Sequence, residues 1–423
     1  MSNYVYLFRS LIPCSIVLLL VSSATGQGVF LPGNGAVNRA MGGATTGASV
    51  ESIGSMSWNP ATISGLGNEV GISFEGLYSD YKIDSTLSFL GQPVLSGSTS
   101  AENGVSPIPT AAWVYQTRNP NVKLGVGMFG VAGFCANVPA DPANPLLDVV
   151  GRVQGEAVFY QIPLVFSVQL NDCWAIAAGP TLAMGRLSLN TNIFARPYNL
   201  EYPSGNGTRY HFGGGGQLGV YYTPDDCWSF GACIKTPTWM ETFRYQVIPA
   251  PGRPPVDKVN FDLPMMVSCG TGFRPNRDLL LTADFRFTDY TNSEGFGDPA
   301  QFEPSGKVSG LGWKSLFSAH VGARARLSQR CYGSAGYVYC SKLIPDESTF
   351  FNLGSDLGYR NGVTMGGTWM CSSCVGLSVA YNYFFEWGSS GPLPSGLLPA
   401  GFDMDIDQRV SAQSLSFGLN VAY

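Results

Sequence analysis

The stretch Ser414–Tyr423, SLSFGLNVAY, alternates without a break. Leu415, Phe417, Leu419, Val421 and Tyr423 are large and apolar, while Ser414, Ser416, Gly418, Asn420 and Ala422 are small or polar. A period of two is the pattern of a β-strand with two unlike faces. A chain that stops in mid-strand on an aromatic ring is expected to have a partner that completes the strand. The last strand of a closed ring finds such a partner in the first.

The same pattern fills most of the chain upstream. Beyond residue 68 we read about fourteen alternating runs, near 69–81, 108–118, 121–134, 157–170, 173–194, 209–222 and 227–248, then 260–273, 278–290, 312–327, 331–342, 361–371, 374–387 and 410–423. Short connections, such as Asn119–Pro120, Asn171–Asp172, Ser328–Arg330 and Ser372–Ser373, take turns with long ones rich in Pro, Gly and Ser. That asymmetry belongs to up-and-down membrane barrels, which have tight periplasmic turns and long external loops. The expected fold is all-β: a transmembrane antiparallel barrel of about 14 strands over 68–423, in the outer membrane, with Tyr423 in the periplasmic aromatic girdle.

Composition agrees with a barrel. Of 423 residues only 13% are charged, 13% are aromatic and 53 are Gly, against roughly 25% charged in soluble domains. Mean hydropathy is only +0.08, which suits strands whose every second side chain is apolar and excludes a bundle of apolar helices. A soluble β-sandwich also alternates, but it hardly needs so many long strands with so few charges. The net charge of -5 offers no basic stripe for nucleic acid.

The first 26 residues read as an export signal: Arg9, an apolar run Leu11–Val21, then Ser22, Ser23, Ala24 and Gly26. Nine cysteines follow, an odd number for an exported chain. Cys371 and Cys374 bracket a tight turn and read as a local disulfide or free thiols rather than as a metal or redox site.

Residues 27–67 do not alternate. Within them Gly35–Gly47 contains Arg39, Ala40, Met41 and Gly42, and Trp58, Asn59, Pro60 and Ala61 follow, with Leu66 beyond. This segment resembles the N-terminal hatch of the FadL-type outer-membrane long-chain fatty acid transporters. Phe159–Leu170 with Asn171, Asp172 and Trp174, then Ser229–Pro237, Asp262–Pro264 and Gly336–Tyr339, resemble strands of the same family. The C-terminal aromatic resembles the signal read by the barrel-assembly machinery, although Tyr stands where Phe is usual. The resemblance implies a barrel plugged by the hatch, monomeric, carrying long-chain fatty acids or other hydrophobic molecules inward without energy input. Asn59 and Pro60 themselves read as a structural turn.

If the apolar members of each strand face lipid, parity sends the others inward. Lys235, Arg286, His320, Arg324 and Arg326 then face the lumen, with Asp284, Glu75 and Gln217. Two readings stay open for these cations: they hold a ligand carboxylate, or they form an internal ion-pair network that supports the hatch. Leu146, Val149, Val150 and Val153 recur at helical spacing in a long loop, and predict a short amphipathic helix at the outer surface. Phe350, Phe351, Leu397, Leu398 and Phe402 extend it into a greasy capture groove, or simply pack. Gly127, Gly130 and Gly133 predict an irregularity in the third strand. In the family an inward kink there opens a lateral window; close packing against the hatch is the alternative.

Other motifs fail. Gly214, Gly216 and Gly219 spell GxGxxG inside a strand with no helix behind it. Asp403, Asp405 and Asp407 lack the glycine and glutamate of a calcium loop. The two histidines, His211 and His320, both read as lumenal, so no metal, cofactor or enzymatic site is expected. The rival expectations are a diffusion pore for small polar solutes and a structural or adhesive surface barrel.

Overall fold

In the computed structural model, residues 30–197, 202–203, 209–246, 256–355 and 360–423 are described. The signal segment expected over 1–26 lies outside them. The first seven barrel strands are β1 Glu69–Phe89, β2 Ser106–Gln116, β3 Val122–Val138, β4 Val153–Gln169, β5 Trp174–Asn190, β6 His211–Tyr222 and β7 Trp228–Lys235. The rest are β8 Met266–Asn276, β9 Leu279–Thr288, β10 Leu316–Arg326, β11 Cys331–Cys340, β12 Asn361–Met370, β13 Val375–Pro392 and β14 Phe402–Ala422. These are fourteen of the sixteen strands in the main sheet; the other two, Gln92–Ser100 and Trp239–Met240, are appended to β1 and β6.

Each strand pairs antiparallel with the next, and β14 returns to β1 from Glu69↔Ala422 to Phe89↔Phe402. The ring of fourteen strands therefore closes on itself, as backbone amides in hydrocarbon require. Each of the fourteen alternating runs contains or overlaps one of these strands.

Around Pro237 and Pro264 the strands are shorter than alternation suggests. Pro237 lacks an N–H for the ladder, so β7 stops at Lys235. The chain then forms a separate hairpin, Phe243–Gln246 with Val256–Val259. The run expected from 260 enters the barrel only at Met266, after Pro264.

Parity sorts the barrel surface. Phe74, Phe166, Leu218, Phe285, Phe317, Leu377 and Phe417 are exposed on the outside, and so form an apolar belt that only lipid satisfies. Toward the short-turn end Trp174 stacks on Tyr222 at 4.3 Å and Trp228 lies 4.4 Å from Phe273. Trp113 bonds the Tyr423 hydroxyl across the closing seam. These rings form the expected interfacial girdle.

At the opposite end β1, β13 and β14 run on beyond the belt. The inward side chains Tyr81, Ile83, Met404, Ile406 and Val410 pack there against the helix α3, Pro145–Val150. The bore holds the N-terminal segment: helices α1 Ala36–Ala40 and α2 Ser52–Trp58, then a 3-10 turn Pro60–Gly65. Nearly every residue from Phe30 to Ile63 is buried, and this segment is the hatch. All nine cysteines among the described residues are free, including Cys371 and Cys374 at their turn.

Candidate functional site: a locked hatch beneath an apolar cavity

The hatch lies backbone-to-backbone on the inner wall. A Cβ at Gly231 or Gly336 would overlap hatch main chain at Thr46 and Gly42, and one at Gly47 of the hatch would overlap the wall backbone at Gly270, so glycine is what lets the two surfaces touch. Polar contacts fix the register. Asn59 donates to Thr46 O and to Val220 O of β6, both at 2.9 Å, while its Oδ1 accepts from Ala61 N at 3.1 Å. Pro60 starts the 3-10 turn that follows, and Ala61 is fully buried against the wall.

Charged groups bind the same interface. Arg39, on α1 and 1% exposed, makes a two-pronged pair with Glu75 of β1, one bond of which is 2.8 Å. Arg286 on β9 donates to Pro32 O at 2.9 Å and to Gly43 O, pairs with Asp284 at 3.1 Å, and lies 3.4 Å over the Trp58 ring. Asp284 accepts from Thr46 N at 2.9 Å. Lys235 donates to Ser57 O at 2.6 Å, and His320 Nδ1 sits 2.7 Å from Gly42 O.

Thus three of the five cations singled out in the sequence, Lys235, Arg286 and His320, meet around hatch residues 32–58. Arg324 lies apart from these three, 4.8 Å from the Tyr332 ring and close enough to hatch Glu51 to interact with its charge. Arg326 is exposed at the strand end, 3.9 Å from Asp278. Inward parity loses its meaning there because the wall has ended.

Lys123 of β3 was missed by the sequence reading. Its ammonium bonds Ser64 O at 2.6 Å and Leu66 O, and its parity opposite Leu124 is the signal that marks it. Glu51 was missed as well. It caps α2 by accepting from Ile53 N (2.7 Å) and Gly54 N (2.6 Å), and burial, then the neighbouring Glu69, push its carboxyl from 4.5 up to about 7.

Above the hatch, among the external loops, lies a cavity of about 870 Å³. Leu146, Val149 and Val150 of α3 line it together with Val153, Phe350, Phe351, Leu397, Leu398 and Met404. No charged side chain lines it among the described residues. Val149 and Leu397 are 76% and 49% exposed, so they mark its outer lip.

Two details depart from expectation. Val153 is not in the helix, because Gly151 at φ +72° ends α3 and Val153 opens β4. Phe402 packs at a tilt against Phe89, with ring centroids 4.8 Å apart, instead of lining the cavity.

Asn144 holds α3 in place. It accepts from Leu146 N at 3.1 Å and from Ser85 Oγ at 2.6 Å, and donates to Ile83 O at 3.0 Å. Asn before Pro145 is the cap signal that could have revealed it.

In β3 the pairing with β4 shifts register between Gly130 and Ala132. At that bulge Leu31 N bonds Val131 O at 2.9 Å, and Phe30 bridges Ala132. The irregularity therefore sits where the hatch begins.

No protein-family model matches the sequence, and no curated protein matches it. Solved structures do. A Pseudomonas aeruginosa FadL homologue superposes with TM-score 0.70 at 14% identity, covering 93% of this chain and 99% of its own. The Pseudomonas putida toluene transporter TodX gives 0.65 at 16% identity, covering 93% and 100%. The Ralstonia pickettii toluene transporter TbuX gives 0.60 at 16% identity, covering 91% and 98%. With its closed ring, its apolar belt and its buried N-terminal segment, this chain has the FadL-type fold, a fourteen-stranded outer-membrane β-barrel with a hatch inside its lumen.

Proposed function

We propose that the chain is a passive outer-membrane channel that takes up hydrophobic small molecules, and that its external cavity captures them in uncharged form. The observation that carries this reading is the cavity itself. At about 870 Å³ it has the size of a small-ligand site, and its lining among the described residues is mostly apolar and carries no charged side chain. A carboxylate buried there would lose its hydration with no cation to replace it, at a cost of several kcal/mol. An alkylbenzene carries no such penalty, and two of the structural neighbours are described as toluene transporters.

A captured ligand then meets the hatch. In this reading the hatch shifts to let it pass, and the bulge at Val131 provides a lateral exit between β3 and β4. A long-chain fatty acid is the second reading, favoured by one observation: buried Nε of Arg286 and Nη1 of Arg324 have no hydrogen-bond partner. The tail would occupy the cavity, and the head group would reach these donors only after the hatch has moved. The hatch contacts of Arg39, Lys235, Asn59 and Pro60 speak against an always-open pore for polar solutes.

The test compares toluene and oleate binding to the purified barrel, for the native chain and for Leu189→Glu, which puts a charge in the cavity wall. The expected result is saturable toluene binding that the substitution weakens about tenfold or more, the equivalent of one lost apolar contact surface. Toluene binding that ignores the substitution would overturn the reading.

A further inference from the structure

The lipid-facing surface is not evenly filled. On β10–β13 the outward positions Ala323, Ala325, Gly333, Ala335 and Gly367 are all small. They leave a groove of about 580 Å³ bordered by Leu327, Met365, Val379 and Tyr381, and its surface is almost wholly apolar. A groove on this face must be filled by something from the membrane, because an empty gap forfeits dispersion contacts on every wall. Acyl chains are the flexible apolar matter at hand.

Its periplasmic end identifies the rest of the occupant. Leu327 is the last lining residue before the β10–β11 turn. That turn carries exposed Arg330, the neighbouring β8–β9 turn carries exposed Arg277, and Arg326 lies between them; Asp278 is the one acid in these two turns. Two other short turns have the opposite sign, with Asp172 between β4 and β5 and Asp225 and Asp226 between β6 and β7, while the β2–β3 turn carries a single cation, Arg118. The groove therefore opens onto the cationic part of the rim, at phosphate depth.

We infer that β10–β13 form a binding site for one anionic phospholipid of the periplasmic leaflet, its acyl chain in the alanine and glycine groove and its phosphate at Arg277 and Arg330. This site is separate from the cavity and the hatch, so it stands or falls apart from the uptake reading. Small outward residues are needed to seat the chain, and the arginines select the head group.

The test places the full-length protein in nanodiscs containing phosphatidylglycerol with a photoactivatable group on its acyl chain, and maps the crosslinked residues by mass spectrometry. Labelling is expected to concentrate on β10–β13, over equally deep positions such as Leu164 and Phe166 of β4. The Arg277→Gln/Arg330→Gln variant should lower that enrichment by about fivefold or more, one surface arginine being worth about that factor. Gly367→Leu, which fills the groove from outside, should remove the enrichment while the heat-modifiable gel mobility of the barrel stays native. Labelling spread evenly around the barrel would overturn the inference. So would enrichment that survives both variants, or crosslinks between two copies of the chain at this face.

Discussion

Replacing Arg286 by Met tests the lock between hatch and wall. The guanidinium is buried, stacked 3.4 Å over Trp58, paired with Asp284 at 3.1 Å, and donates to the carbonyls of Pro32 and Gly43. Met keeps most of the stem but removes every donor. Asp284 is left without its cation, and breaking a buried pair costs about 3–5 kcal/mol. Two hatch carbonyls lose partners, at about 1 kcal/mol each. Because Thr46 still donates to Asp284, the low end of that range is the better guide, and a net loss of about 5 kcal/mol in hatch docking is expected. The assay is single-channel recording in planar bilayers alongside limited proteolysis. Arg286→Met should show frequent ion-conducting openings and faster cleavage between residues 30 and 60, whereas the native barrel stays closed. Asp284→Leu/Arg286→Met, which removes both charges, should restore much of the closed state. If Arg286→Met is as closed and as protease-resistant as the native chain, the cation does not lock the hatch.

Three further outcomes follow from particular residues. The proton on Glu51 is held more tightly in the folded hatch than in the free chain, since burial lifts its pKa from 4.5 to about 7. Docking of α2 should thus be strongest below about pH 4.5 and weaken as pH rises through 7, by up to about 3 kcal/mol. Hydrogen exchange of α2 amides across pH 5–8, corrected for intrinsic rates, reads this out, and Glu51→Gln should flatten the curve. Asn144→Ala removes the cap of α3 and the acceptor for Ser85, and about 2 kcal/mol of local stability should be lost. Toluene affinity then falls while the barrel's melting temperature holds. Deleting Val131 takes out the bulge residue and should let β3 and β4 pair without interruption, and uptake into cells should drop while binding to the purified protein does not; equal uptake would remove the lateral exit from the account.

The barrel was legible because its rule is local. Lipid outside and a polar lining inside force alternation on every strand, and Trp228, Phe230 and Ile234 against Lys235 show it within eight residues. Two of the overextended runs meet a proline, Pro237 or Pro264, which breaks the ladder without breaking the hydrophobic pattern, and others, such as 173–194 and 312–327, overshoot their strands by about four residues with no proline at the boundary. The lining of the capture cavity was half legible: Leu146, Val149 and Phe350 announce greasy loops, but their meeting with Met404 and Leu187 depends on how the loops fold back. The lumenal cations were found by parity, yet parity says only that a side chain points inward. Whether Arg286 meets a ligand or Pro32 O, 254 positions away in the chain, depends on the fold of everything between them, and sequence periodicity carries no such information. Glu51 and Lys123 escaped notice for the same reason, since their partners are hatch amides and carbonyls set by three-dimensional docking.

The account's central claim is that the first resting place of the ligand is the uncharged cavity bounded by α3 and Phe350–Leu353, above a closed hatch. An anomalous diffraction map from crystals soaked in iodobenzene tests it directly. A halogen peak within that cavity, with Arg286 still bonded to Pro32 and Gly43, is the predicted result. A peak at Arg286 or His320 with the cavity empty would contradict it.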